Sequence, residues 1–212
     1  MTEPAPAHAA TEPAGPSKAA LRGALRAARR TLDPATLEAA GTAIAARVLD
    51  LHELRGAATV TAYVSRGTEP GTRPLLDELT RRGVRVLVPV LLPDMDLDWA
   101  EYTDADRLVP SSVPGNGSLF EPDGPRLGPS AVAHVDLVLA PGLAVGPSGY
   151  RLGFGGGCYD RALSRVAPSV PVVVLLFDSE LLDAVPVEAH DRPVDVAVTP
   201  ERTVRFARTD GG

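Results

Sequence analysis

The sequence holds a single cysteine, Cys158, so no internal disulfide framework can form and stability must come from a packed core. Histidine is almost as scarce. His8, His52, His134 and His190 lie far apart, and with one cysteine they offer no zinc-type spacing. No apolar run approaches the ~18 residues of a membrane span. The opening MTEPAPAHAATEPAGPS lacks the basic and apolar regions of a secretory signal. These absences predict a protein of a reducing, cytoplasmic compartment that makes no use of a membrane. Lysine is the rarest of the charged types: of 21 basic residues all but Lys18 are arginine. Against 27 acids the net charge is −6. That balance excludes a general nucleic-acid binder, which needs a basic face to displace counterions, but permits a small anionic ligand in a local basic pocket.

What is present suits one domain of 212 residues. Glycine (20) and proline (21) make up about a fifth of the chain, rich in turns yet below the ~25–30% at which disorder sets in. Residues 1–16 carry four prolines and no large apolar side chain beyond Met1, and read as a disordered tail. Residues 207–212 read as a flexible C-terminus, leaving 17–206 as a single domain. Ser17 is a good N-cap for a helix to about Leu32. In that helix Leu21, Leu25, Ala28 and Leu32 form one stripe, with Lys18, Arg22 and Arg29 along its border and Arg26 and Arg30 farther outward. Asp33-Pro34 starts a second helix to about Leu51.

Alternation follows. ATVTAYV (Ala58 to Val64) reads as a strand, Thr72 to Arg82 as a helix and VRVLVPV (Val84 to Val90) as a buried strand. VDLVLA (Val135 to Ala140), VPVVVLLF (Val170 to Phe177) and VDVAVT (Val194 to Thr199) continue the series; LDWAEY, from Leu97, is a further strand. This βαβ pattern predicts a three-layer α/β/α, Rossmann-like domain with a mostly parallel central sheet. Ligands of such sheets bind beyond the carboxyl ends of the strands, which directs attention to the loops after Val64, Ala140 and Phe177. Residues 103–132 are a long proline- and glycine-rich segment of the kind that can close over a site. The acids Asp94, Asp96 and Asp98 lack the rest of an EF-hand loop and read as a solvated turn.

The stretch PGLAVGPSGYRLGFGGGCYDRAL (Pro141 to Leu163) is the most informative. Gly149, Gly153, Gly155, Gly156 and Gly157 leave backbone N–H groups unshielded before helix-forming residues that begin at Cys158, an arrangement able to cradle phosphate. Arg151 supplies a planar donor fork and Asp160 a carboxylate that could hold a phosphate-bridging magnesium ion. The spacing is neither the dinucleotide fingerprint nor a Walker loop, and by composition alone a plain glycine-rich turn would look the same.

RLGFGGGCYDR, with Lys18-Ala-Ala-Leu-Arg22, resembles the 5-formyltetrahydrofolate cyclo-ligase (5,10-methenyltetrahydrofolate synthetase) family. SRGTEPGT (Ser65 to Thr72), LFEP (Leu119 to Pro122), VDLVLAPGLA (Val135 to Ala144) and HDRPVDVAVTPE (His190 to Glu201) follow in the family's order, so the resemblance spans roughly residues 17–206. It implies a magnesium-assisted, ATP-dependent cyclisation of 5-formyltetrahydrofolate to 5,10-methenyltetrahydrofolate, with ADP and phosphate released through a phosphorylated formyl intermediate. Lys18 and Arg151 would be catalytic. Lys18, Ala19, Ala20, Leu21 and Arg22, with Arg151, Leu152, Gly153, Phe154, Gly155, Gly156, Gly157, Cys158 and Tyr159, would bind the nucleotide. Val64, Glu69 and Phe154 to Cys158 would bind the folate, and Asp160 and Asp195 the magnesium. A monomer acting only on small molecules is expected. Two alternatives stay open. One is a folate- and nucleotide-binding protein without turnover. The other is a thiol enzyme, because Cys158 replaces the family's usual aromatic residue and a helix N-terminus can lower a thiol pKa.

Overall fold

A computed structural model describes residues 16–188 and 191–207. The expected terminal segments 1–16 and 207–212 fall almost wholly outside them. Ser17 caps helix α1 (Lys18–Arg29) through its hydroxyl, and Asp33 caps α2 (Pro34–Leu49). Strand β1 (Thr59–Thr61) leads through α3 (Arg73–Arg81) to β2 (Arg85–Leu91), and a tight turn returns β3 (Leu97–Tyr102) antiparallel to β2. Two short strands, β4 (Leu108–Pro110) and β5 (Phe120–Pro122), pair within the long proline-rich segment. After β6 (Leu137–Pro141) comes a small hairpin, β7 (Ala144–Val145) with β8 (Arg151–Leu152), then α4 (Cys158–Leu163) and β9 (Val172–Leu175). The chain ends on β10 (Val196–Val198) and β11 (Thr203–Arg205).

The central sheet has seven strands in the order β11-β10-β9-β6-β1-β2-β3, and its inner five are parallel. Alternate residues face opposite layers. Val60, Val86, Leu137, Val173 and Val196 pack on α2 and α3. Leu87, Val138, Val172 and Ala197 pack on α4 and the turn Pro129–His134. Full burial of Leu75, Leu76 and Leu79 on α3 contributes roughly 1.5–3 kcal/mol each. The mostly parallel, three-layer α/β reading thus holds. Glycine is required where α2 crosses the loop after β1, because a Cβ on Gly41 would lie 2.7 Å from the Gly71 carbonyl oxygen.

Strand order reverses between β1 and β6, where β1 leads one way to β2 and β6 the other way to β9. The crevice at such a reversal, at the carboxyl ends of the strands, is where open α/β sheets bind ligands. Helix α1 belongs to neither face layer. It packs Leu25 and Leu21 on Leu143, Ala144 and Leu152, beside the mouth of that crevice.

The inward stripe of α1 differs from the expected one: Ala28 is exposed and Arg29 is buried in its place. Arg29 Nε and Nη2 donate to the two carboxylate oxygens of Glu180 at 2.6 and 2.8 Å, and Nη2 also donates to the Gly142 carbonyl at 2.7 Å. Both side chains are about 3% exposed. The guanidinium also lies over the rings of Phe177 and Phe154, at 5.4 and 5.8 Å. Breaking a buried pair by removing one partner costs about 3–5 kcal/mol, since the other charge stays desolvated. Arg29→Ala is therefore expected to lower the unfolding free energy, measured by urea titration, by an amount of that size. A double variant, Arg29→Met with Glu180→Leu, should recover much of it.

Candidate functional site

A cavity of ≈ 950 Å³ opens at the carboxyl ends of β1, β2 and β6. Its lining includes Lys18, Ala19, Arg22, Val64, Glu69 and every residue from Arg151 to Asp160. The loops after Val64 and Ala140 thus meet where the topology predicts. Ala20 and Leu21 do not line it: the Ala20 N–H donates to the Ser17 cap at 3.2 Å, and Leu21 faces the apolar contact under the helix.

The glycine-rich loop is held from two sides. On one, Arg22 Nε donates to the Gly153 carbonyl at 2.8 Å and Arg26 Nη2 to that of Phe154 at 2.6 Å. Arg26, expected to point outward, instead lines the cavity, because the loop carbonyls bring a partner to that side of α1. On the other side, Arg151 Nη2 donates to Asp160 Oδ1 at 2.8 Å. Arg161 of α4 donates to the Met95 carbonyl, and Arg165 binds Asp96 at 2.5 Å. The turn at Asp94–Asp98 is therefore not simply solvated. Asp96 pairs with Arg165, and the buried Asp98 accepts the Gly128 N–H at 2.7 Å. Gly155 and Gly157 have φ of +102° and +68°, values that side chains resist. Among the described residues nothing accepts from the N–H groups of Gly155, Gly156 or Gly157, so they remain for an anion.

Lys18 Nζ donates to Asp191 at 2.7 Å and lies 3.4 Å from Glu188. Both acids line the cavity. Asp195 does not: it precedes β10, at the amino ends of the strands, where its carboxylate accepts the Val172 N–H at 2.7 Å. Its expected pairing with Asp160 is therefore not made, and Asp191, which the sequence reading did not single out, lines the cavity instead. Among the described residues no three metal-type side chains gather in one cluster. Asp160 and Asp191 line the same cavity, each paired with a cation, and could contribute to a magnesium ion that draws most of its ligands from phosphate and water.

At the far end, Glu69 sits on the turn after β1. The hydroxyls and N–H groups of Ser65 and Thr72 bond each other across the base of this loop, and Thr72 Oγ1 donates to the Tyr63 carbonyl at 2.6 Å. Within it Glu69 accepts the Arg66 N–H at 2.9 Å. Burial pushes the Glu69 carboxyl above its ordinary pKa, against the Arg66 N–H and the Arg66 and Arg29 charges, which pull it down. Tyr63, Leu119, Phe120 and Glu121 complete this part of the wall, so the proline-rich segment contributes to the cavity. Glu121 is itself fixed, accepting the Leu91 N–H at 3.0 Å.

Cys158 also lines the cavity, but burial raises its thiol pKa and outweighs the Arg161 charge, the reverse of nucleophile activation. Its Sγ lies 3.7 Å from the Gly156 carbonyl.

Residues 14–200 match the 5-formyltetrahydrofolate cyclo-ligase family. The chain is similar to the 5-formyltetrahydrofolate cyclo-ligase of Mycolicibacterium smegmatis, 38% identical over 193 residues covering 89% of this chain and 96% of that one. It is 31% identical to the cyclo-ligase of Escherichia coli strain K12, over 84% of this chain and 97% of the relative. The fold superposes on an NMR structure of Aquifex aeolicus 5,10-methenyltetrahydrofolate synthetase with a TM-score of 0.75 and 26% identity, covering 92% of this chain and 94% of that one.

The raised Glu69 pKa has a stability consequence of definite sign. The folded chain holds this proton more tightly than the unfolded chain, so stability falls as pH rises from the ordinary carboxyl range through the raised folded value. Glu69→Gln removes that fall. The variant should melt above the parent at neutral pH, with the gap closing in acid, as followed by thermal melts across pH.

Proposed function

The chain belongs to the 5-formyltetrahydrofolate cyclo-ligase family, and we propose that it closes 5-formyltetrahydrofolate to 5,10-methenyltetrahydrofolate with ATP as co-substrate. The observation that carries this reading is one cavity lined by two unlike groups of residues. Its ≈ 950 Å³ lies near the top of the ~300–1,000 Å³ usual for ligand sites, room for two substrates in contact. Lys18, Arg22, Arg151 and the glycine loop suit phosphates. Buried Glu69 and its apolar surroundings suit an uncharged ring bearing N–H donors.

In this reading the γ-phosphoryl group of ATP passes to the formyl oxygen and ADP leaves. The neighbouring folate nitrogen then attacks the activated formyl carbon and gives up its proton to the departing phosphate or to water, and phosphate departs with that oxygen. Little covalent work falls to the protein; positioning and charge stabilisation carry phosphoryl transfer. Lys18 would give up Asp191 for a phosphate oxygen, its compact ammonium able to follow the transferring group. The Arg151 fork and the loop N–H groups would hold the polyphosphate, while Val64 and Glu69 would hold the folate. Asp160 and Asp191 would hold magnesium, which when bound neutralises phosphate charge.

Pure protein mixed with 5-formyltetrahydrofolate, Mg²⁺ and ATP is expected to develop the absorbance of the methenyl product. Binding of both substrates without product would leave a non-catalytic folate and nucleotide binder. Losing one charge-assisted contact at ~1.5–3 kcal/mol weakens binding by roughly tenfold or more. Lys18→Ala should therefore raise the KM for ATP by at least that factor, and Glu69→Ala the KM for folate. Unchanged kinetics in both would overturn the site assignment. Cys158→Ser should keep nearly full turnover, and its inactivation would restore the thiol mechanism.

A further inference from the structure

Two phenols that line this cavity carry hydroxyls that the fold does not bond. The hydroxyl oxygens of Tyr63 and Tyr159 are buried, and neither has a hydrogen-bond partner among the described residues. Buried hydroxyls are mostly satisfied; those of Thr61 and Thr80 also lack partners, but Tyr63 and Tyr159 are the pair that line the ligand cavity, where a ligand can satisfy them. The two reach this place from opposite faces of the sheet. Tyr63 belongs to the core under α2 and α3, whereas Tyr159, on α4, packs against the core on the other face. All three residues, these two and Glu69, line the cavity, and burial first, then the Glu69 charge, raise the pKa of both phenols. Each therefore keeps its proton and remains a donor at neutral pH.

Glu69 completes the set. One of its carboxylate oxygens takes the Arg66 N–H, while the other lies 3.9 Å from Arg66 Nε, beyond hydrogen-bond reach. An acceptor and two buried O–H donors thus belong to residues that line one cavity. Glu69 would repel a phosphate there. A planar ring edge with N–H beside C=O matches, giving its N–H groups to the carboxylate and taking O–H donors on the carbonyl.

We propose that Tyr63 and Tyr159 are substrate-binding residues, whose hydroxyls donate to the carbonyl edge of the reduced folate ring while Glu69 accepts from its N–H groups. This rests on the reading that folate binds at Glu69. It assigns Tyr159, in the first turn of α4, to the folate, although the family resemblance would give it to the nucleotide.

Tyr63→Phe and Tyr159→Phe each remove one oxygen and keep the ring. Each should raise the KM for 5-formyltetrahydrofolate roughly tenfold, the effect of one hydrogen bond to a ligand, with the KM for ATP unchanged. Because the hydroxyls have no partner in the ligand-free fold, neither variant should melt below the parent. Lower melting temperatures with parental folate KM would mean a structural role and overturn the proposal. If Glu69→Ala raises the folate KM while both phenylalanine variants keep the parental value, the folate reading survives and this inference fails. If the parent neither binds nor converts 5-formyltetrahydrofolate, both fall together.

Discussion

The buried Arg29–Glu180 pair is the constraint on which the site depends. Helix α1 has little apolar contact of its own: among its residues only Leu25 joins Arg29 in full burial, and Leu21 is half-buried. Hydrophobic attraction has no direction, so so small a contact would let the helix slide or rotate. A bidentate guanidinium–carboxylate bond does have direction, and its second anchor, the Gly142 carbonyl, lies on the turn just after β6. With Arg29 fixed, helical spacing delivers the rest. Arg26, Arg22 and Lys18 follow at intervals of three or four residues, along one side of α1, onto the glycine loop and the cavity. The ion pair is best understood as a register device, whose net contribution to stability is small compared with the cost of breaking it.

Charge within the site is already balanced. Lys18 is paired with acids, Arg151 is paired with Asp160, and Arg22 and Arg26 hold carbonyls. A cluster of bare cations facing an apolar crevice would repel itself and destabilise the fold. On the proposed reading, a nucleotide therefore enters by exchange: phosphate oxygens replace carboxylates on the cations, and the released carboxylates become available to the metal that accompanies the phosphate. The net charge of −6 never described this pocket, where charges of both signs stand side by side.

Much of the fold was legible because its signals are local. Apolar runs such as Val135 to Ala140 and Val170 to Phe177 gave β6 and β9, and the caps Ser17 and Asp33 gave both helix starts. The loops after Val64 and Ala140 followed from strand polarity. What escaped was set by distant partners. Arg29 is 151 positions from Glu180, and no pattern within α1 marks a buried arginine in place of Ala28. Asp191 and Asp195 show how topology decides between neighbours. The connection from β9 to β10 leaves at the carboxyl edge of the sheet and must return to the amino edge before β10 can run parallel. Asp191 lies early enough in that return to meet Lys18, whereas Asp195, four residues on, has reached the far edge and binds Val172. The one-dimensional motif does not distinguish them; strand direction does.

The same logic explains why the polar floor of the cavity exists at all. Glu69, Tyr63 and Tyr159 bury groups that a purely structural core would replace with apolar ones, since an unsatisfied buried hydroxyl costs about 1–3 kcal/mol. A fold tolerates such positions only if the surrounding packing holds them rigidly. Here it does so from both sides: Tyr63 is held in the core beneath α2 and α3, and Tyr159 against the core on the opposite face. Since two independent cores fix them, on the proposed reading the donors are held in place before any ligand arrives, and binding would lose little entropy in ordering them. The rule that polar groups avoid the interior is broken where strand order reverses, which is also where the topology opens a crevice. On the proposed reading the two phenols are left unsatisfied because a ligand completes them, whereas the Thr61 and Thr80 hydroxyls, also unpartnered, lie outside the cavity.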